Sequence, residues 1–151
     1  MNGEGSIQLN GKIGTVFTSL LDPEVLKNCI MGCNELTKKE DNTYVADLSV
    51  GVAAVKGKYD ATIFLADLQP PNSYKLIVNG EGAPGFVDAE AEIQLVPIDD
   101  ENTELRYTYE AAVGGKVAAI GQRMLGGVAK LIIKDFFKKI KRELEKVNIA
   151  D

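Results

Sequence analysis

Ile7 and Leu9 alternate with Ser6, Gln8 and Asn10, the period-two pattern of a half-exposed strand over residues 5–10. The period then lengthens. Ile13, Val16, Phe17, Leu20 and Leu21 recur at helical spacing, and Asp22-Pro23-Glu24 restarts a helix with a capping Asp, a Pro at the first helical position and an early acid. Two short helices therefore meet at Asp22, the second running through Val25 and Leu26 to about Cys29 and closing near Gly32.

From Glu35 to Val113 the pattern is one of strands separated by turns, with reversals at Asp41-Asn42, Pro70-Pro71-Asn72 and Asp99-Asp100-Glu101-Asn102. Residues 57–67 set Tyr59, Ala61, Ile63 and Leu65 on one face, opposite Lys58, Asp60 and Thr62. Residues 86–96 set Val87, Ala89, Ala91, Ile93 and Leu95 inward, opposite Asp88, Glu90, Glu92 and Gln94. Residues 103–113 do the same with Leu105, Tyr107, Tyr109, Ala111 and Val113. Strands in series with short links predict an antiparallel meander with one wet and one covered face. The cover is the segment after Gly114-Gly115, where Val117, Ile120, Met124, Val128, Leu131, Ile132, Phe136, Ile140 and Leu144 form an apolar stripe about thirty residues long. The fold class is α+β: one domain over residues 1–151, a curved antiparallel sheet wrapped around a long C-terminal helix, with two short helices after the first strand.

The covered face is rich in small residues. Ala61, Ala89, Ala91 and Ala111 interleave with Tyr59, Tyr107 and Tyr109, and Gly121, Gly126 and Gly127 thin the helix. A twisted sheet with such a floor is not filled flush by one straight helix, so an apolar cavity with tyrosine hydroxyls as polar handles is expected. Its expected lining is Tyr59, Ile63, Leu76, Val87, Ala89, Ala91, Tyr107 and Tyr109 from the strands and Val117, Met124 and Val128 from the helix. Gly80-Glu81-Gly82-Ala83-Pro84-Gly85 has the glycine spacing of a dinucleotide loop but joins strand to strand, so it is read as a mobile loop at the mouth, with Phe86 as an apolar gate.

Composition narrows the chemistry. The chain has no His, which removes Ser-His, Cys-His and other His-based catalysis, and two cysteines without His cannot make a four-ligand zinc site. Cys29 and Cys33 read as reduced, inert thiols; no metal or catalytic residue is assigned. A net charge of −5 argues against general nucleic-acid binding. Residues 130–146 nonetheless carry seven basic residues against three acids, read first as a solvated helix end and second as a surface for an acidic partner or anionic lipid. No run reaches the ~20 apolar residues that cross a bilayer, and the Met1–Gly5 start lacks a secretory signal, so a cytoplasmic protein is expected.

The stretches Asp22-Pro23-Glu24-Val25-Leu26, Cys29-Ile30-Met31-Gly32-Cys33, Val55-Lys56-Gly57, Pro70-Pro71, Gly80-x-Gly82-x-x-Gly85-Phe86, and Val113-Gly114-Gly115-Lys116-Val117-Ala118 followed by Gly121-x-Arg123 together resemble the CoxG subunit of carbon monoxide dehydrogenase. The resemblance covers nearly the whole chain. It implies the helix-grip fold shared with START and Bet v-type proteins of the SRPBCC superfamily. It also implies a non-enzymatic accessory role beside molybdenum-containing carbon monoxide dehydrogenases and related hydroxylases, in membrane attachment and in handling a lipophilic quinone such as menaquinone. Met31 stands where the family usually has proline, and the sequence ends at Asp151 without the long tail of some relatives. Surface docking through Lys134, Lys138, Lys139, Lys141 and Arg142, at the inner face of the plasma membrane, is the membrane contact this leaves. The alternatives are a polyketide cyclase or aromatase-like enzyme, which would need a group such as Asp47, Asp60 or Arg123 inside the cavity, and an assembly factor for a molybdenum hydroxylase.

Overall fold

The first strand, β1 (Asn2–Asn10), starts three residues earlier than the alternation of larger side chains indicates, because Gly3 and Gly5 continue the inward positions of Ile7 and Leu9. The computed structural model describes residues 1–150; Asp151 lies outside them. Helix α1 (Ile13–Leu21) turns into α2 (Pro23–Cys29) at Asp22, whose Oδ1 accepts the Glu24 N–H at 2.9 Å, satisfying one of the donors a helix start leaves free. After α2 the chain passes Gly32 at φ 71°, where an added Cβ would strike the Ser49 carbonyl.

Six further strands follow: β2 (Cys33–Glu40), β3 (Thr43–Val50), β4 (Gly57–Gln69), β5 (Ser73–Gly82), β6 (Gly85–Asp99) and β7 (Asn102–Gly114). The sheet order is β1-β7-β6-β5-β4-β3-β2, every neighbour antiparallel, so the meander is as expected and β1 returns beside the last strand without closing a barrel. A short 3-10 helix, Ala53–Val55, links β3 to β4, and another, Lys116–Ile120, follows β7. Helix α3 spans Gln122–Ala150.

The core lies where α1, α2 and the C-terminal half of α3 meet one end of the concave sheet face. Val16, Phe17, Leu20, Leu26, Phe137, Ile140 and Leu144 pack there with Leu9, Leu65, Tyr74, Ile93, Leu95 and Leu105. Phe17 meets Tyr74 edge to face with centroids 5.7 Å apart, and the buried Tyr44 hydroxyl donates to the Leu21 carbonyl at 2.6 Å.

Two expectations are corrected here. The final apolar run is not one helix: Val117 and Ile120 belong to the 3-10 segment, and Gly121, at φ 93°, breaks the chain before α3 begins. The restarted helix turns Leu125 inward, so Met124 and Leu131 stand 56% and 49% exposed, while Phe136, Ile140 and Leu144 of the expected stripe do face the core. One residue is ~100° of helix, enough to move a side chain off the buried face. The Gly80–Phe86 segment is likewise not a mobile loop. Gly82 pairs with Gly85 across a two-residue turn, Ala83-Pro84, and glycine is needed at Gly85 because its φ is 146° and a Cβ would meet the Gly114 carbonyl and Val117.

Candidate functional site

Each strand of the concave face is buried at one end and half open at the other. Along β6, Ile93 and Leu95 are buried whereas Val87, Ala89 and Ala91 are half-buried; along β7, Leu105 is buried whereas Tyr107, Tyr109, Ala111 and Val113 are half-buried. On β4 the sequence Leu65, Ile63, Ala61, Tyr59 runs the same way, and on β5 Tyr74 is buried while Leu76 and Val78 are not. The registers Tyr59↔Gly82, Val78↔Ala89 and Ala89↔Ala111 place the half-open ends side by side. The result is an apolar groove, open at the end where the Ala53–Val55 segment, the Ala83-Pro84 turn and the Lys116–Ile120 segment converge.

The apolar cavity expected between sheet and helix falls on this half-buried part of the concave face. The C-terminal half of helix α3 packs Phe137, Ile140 and Leu144 into the core with Leu65, Tyr74, Ile93 and Leu95, and along the alanine floor Ala61 is buried while Ala89, Ala91 and Ala111 are half-buried. Two depressions of about 690 and 470 Å³ lie on the opposite, convex face, where Glu4, Lys75, Glu92 and Thr108 line both. Their charges are partly satisfied by the Lys75–Glu90 and Arg106–Glu104 pairs, and their lining mixes these charged side chains with apolar surface.

Of the expected lining residues, Tyr59, Leu76, Val87, Ala89, Ala91, Tyr107 and Tyr109 lie on the half-open part of the concave face. Ile63 lies deeper, in the packed core. Val117 is buried at the mouth, where its N–H donates to the Pro84 carbonyl at 2.9 Å, and Val128 is half-buried on α3. Phe86 and Met124 are elsewhere. Phe86 alternates with Val87, so it lies on the convex face, 46% exposed with its ring over Gly114. Met124 points away from the buried side of α3 that Leu125 occupies.

The tyrosines are held in place rather than reaching freely into the groove. Tyr107 and Tyr109 pair directly with Gly5 and Gly3 of β1 and lie across them, their rings near-parallel at 6.4 Å; Tyr107 continues onto Phe137 at 5.5 Å. Gly3 and Gly5 are missing from the expected lining, although their parity with Ile7 and Leu9 is readable. The Tyr59 hydroxyl is already used: it donates to the Val55 carbonyl at 2.6 Å and ties the mouth segment to β4. Burial raises the Tyr59 and Tyr107 phenols above their ordinary value, so both are neutral near pH 7.

Asp47, Asp60 and Arg123 are exposed, the two acids on the convex face with β3 and β4 paired through them. Both cysteines are free. Cys29 is fully buried and its thiol is pushed up to about 11 by desolvation and then by nearby Glu143; burial also raises Cys33. Among the described residues no group of three or more His, Cys, Asp or Glu could hold a metal ion, and no helix is long and apolar enough to cross a membrane.

An open seven-stranded antiparallel sheet gripping a long C-terminal helix defines a START-like helix-grip protein. The chain belongs to the carbon monoxide dehydrogenase CoxG family, whose profile matches residues 5–145. It is similar to a conserved protein of Geobacillus kaustophilus, with 62% identity, coverage of 97% of this chain and 96% of that one, and a TM-score of 0.94. A START superfamily protein from Mycobacterium smegmatis shares the fold at 11% identity, covering 97% of this chain and 98% of that one, TM-score 0.74. The Zhui aromatase/cyclase from Streptomyces sp. R1128 does so at 17% identity, covering 97% and 94%, TM-score 0.71. No curated protein matches the chain.

Proposed function

We propose that the protein is a non-enzymatic carrier whose groove takes a quinone or other lipid, acting in the cytoplasm as an accessory to a carbon monoxide dehydrogenase-type molybdenum hydroxylase. One observation carries this reading: the half-open stretch from Tyr59 through Val87, Ala89 and Ala91 to Tyr109 and Ala111 is apolar, floored by small residues and free of ionisable carboxylates and amines. Such a surface favours an apolar molecule by ~25 cal/mol for each Å² removed from water, while the tyrosine edges suit one or two polar ends. Family membership supports the accessory role and the choice of hydroxylase. A cyclase-type enzyme is the weaker reading, since Asp47 and Asp60 lie on the convex face and Arg123 is exposed to solvent on α3.

Native protein, gently purified and extracted, is expected to release a co-purified lipid detectable by mass spectrometry, or to take up added menaquinone. Ala89→Trp, which fills the floor, is expected to lower uptake at least about ten-fold with the far-UV spectrum unchanged. A protein that purifies empty and ignores menaquinone overturns the reading.

A further inference from the structure

The three segments at the groove mouth carry cations and no acid, although the protein as a whole is acidic. Residues 51–58, 83–86 and 115–131 carry Lys56, Lys58, Lys116, Arg123 and Lys130 and neither Asp nor Glu, in a chain of net charge −5. All five cations are exposed, and among the described residues none is in an ion pair. The segments are far apart in sequence but adjacent in space: Val117 N–H bonds Pro84, Gly57 packs on the Pro84 ring, and Gly115 packs on Gly85.

The same surface is apolar at its tip. Ala53, Ala83, Ala118 and Ala119 are exposed, and on the first turns of α3 Arg123, Met124, Gly127, Lys130 and Leu131 share the outward face at helical spacing, opposite buried Leu125. Met124 and Leu131, the two large apolar side chains of that face, are about half exposed although the core end of the same helix is well packed. Aliphatic side chains flanked by five unpaired cations match an anionic bilayer: alkyl groups enter the headgroup boundary and the cations meet lipid phosphates.

We infer that this mouth surface, and not the basic C-terminal stretch of α3, docks the protein on anionic membranes. The inference rests on the carrier reading above, because a groove for a lipid is useful only where it meets the bilayer holding that lipid. The C-terminal stretch is a poorer candidate: Lys139 is paired to Asp135 at 2.8 Å and Lys146 to Glu143 at 3.0 Å, and no exposed large apolar residue stands among its lysines.

Co-sedimentation of the full chain with phosphatidylcholine vesicles, with and without about one-third phosphatidylglycerol, tests this. The expected result is binding to the mixed vesicles only, weakened several-fold per charge by Lys116→Glu and by Arg123→Glu, and at least about ten-fold by Ala119→Asp and by Leu131→Asp. Lys138→Glu with Lys141→Glu should bind as well as the unchanged protein. Thermal melting of each variant identifies any that fails to fold, and Lys116→Glu and Leu131→Asp lie in different elements, so one can replace the other. Binding of the apolar dye ANS in solution is followed in parallel: loss of dye binding with membrane binding intact counts against the groove and leaves docking standing. Loss of vesicle binding in the Lys138/Lys141 variant but not in the mouth variants, or no binding to either vesicle by the unchanged protein, overturns the inference.

Discussion

The ring of Tyr107 lies flat across Gly5, its hydroxyl oxygen 2.5 Å from where a Cβ on that glycine would stand. The two residues are directly paired across β1 and β7, and the missing side chain of one is the space occupied by the other. Gly5→Val should therefore drive Tyr107 off β1 and out of its contact with Phe137, costing about 1–3 kcal/mol in urea unfolding. Combined with Tyr107→Ala the loss should be less than additive, because the clash is then gone. Additivity would show that Gly5 does not house the ring.

Tyr59 holds the mouth through a single bond to the Val55 carbonyl. Tyr59→Phe keeps the ring and deletes the donor, so about 1 kcal/mol at most is expected in global stability. The larger effect should be local: faster amide exchange and faster proteolysis within residues 52–56, with the core strands unchanged. Uniform acceleration across the protein would contradict this.

Acid sensitivity should trace to the α2–α3 contact. Asn28 Nδ2 donates to Glu143 Oε1 at 2.6 Å, and this bond, followed by Lys146, holds the largely buried Glu143 carboxyl below the ordinary 4.5. Because the folded-state value is depressed, the carboxylate stabilises the fold above the unfolded value, and this contribution is lost as pH falls below about 4.5 toward the folded one. Asn28→Ala is expected to cost about 1 kcal/mol at pH 7 and to flatten the decline between neutral and acid pH. Urea titrations at pH 7 and in the acid range measure both.

Much of this architecture is legible along the chain because strand alternation is a local property. Val87, Ala89 and Ala91 must share a face opposite Asp88, Glu90 and Glu92 whatever the rest of the protein does, and Asp22-Pro23 starts α2 by its own hydrogen bonding. Phe86 shows the same rule applied against an expectation: placed as a gate beside Val87, it had to fall on the other face. The glycines of residues 80–85 were harder, since glycine marks a mobile loop and a close-packed hairpin equally well until the Gly114 carbonyl is seen beside Gly85.

Residue order alone thus settled the alternating faces, the paired short helices, the absence of histidine chemistry and the apolar character of the concave surface, because each depends on neighbours one to four positions away. The three-dimensional arrangement decided how far that surface is covered, which face of α3 turns inward after Gly121, and that Gly3 and Gly5 receive the tyrosine rings. It also gathered Lys56, Pro84, Lys116 and Met124 at one end of the molecule. These depend on contacts between segments tens of residues apart, whose free energies come from packing that no local period encodes.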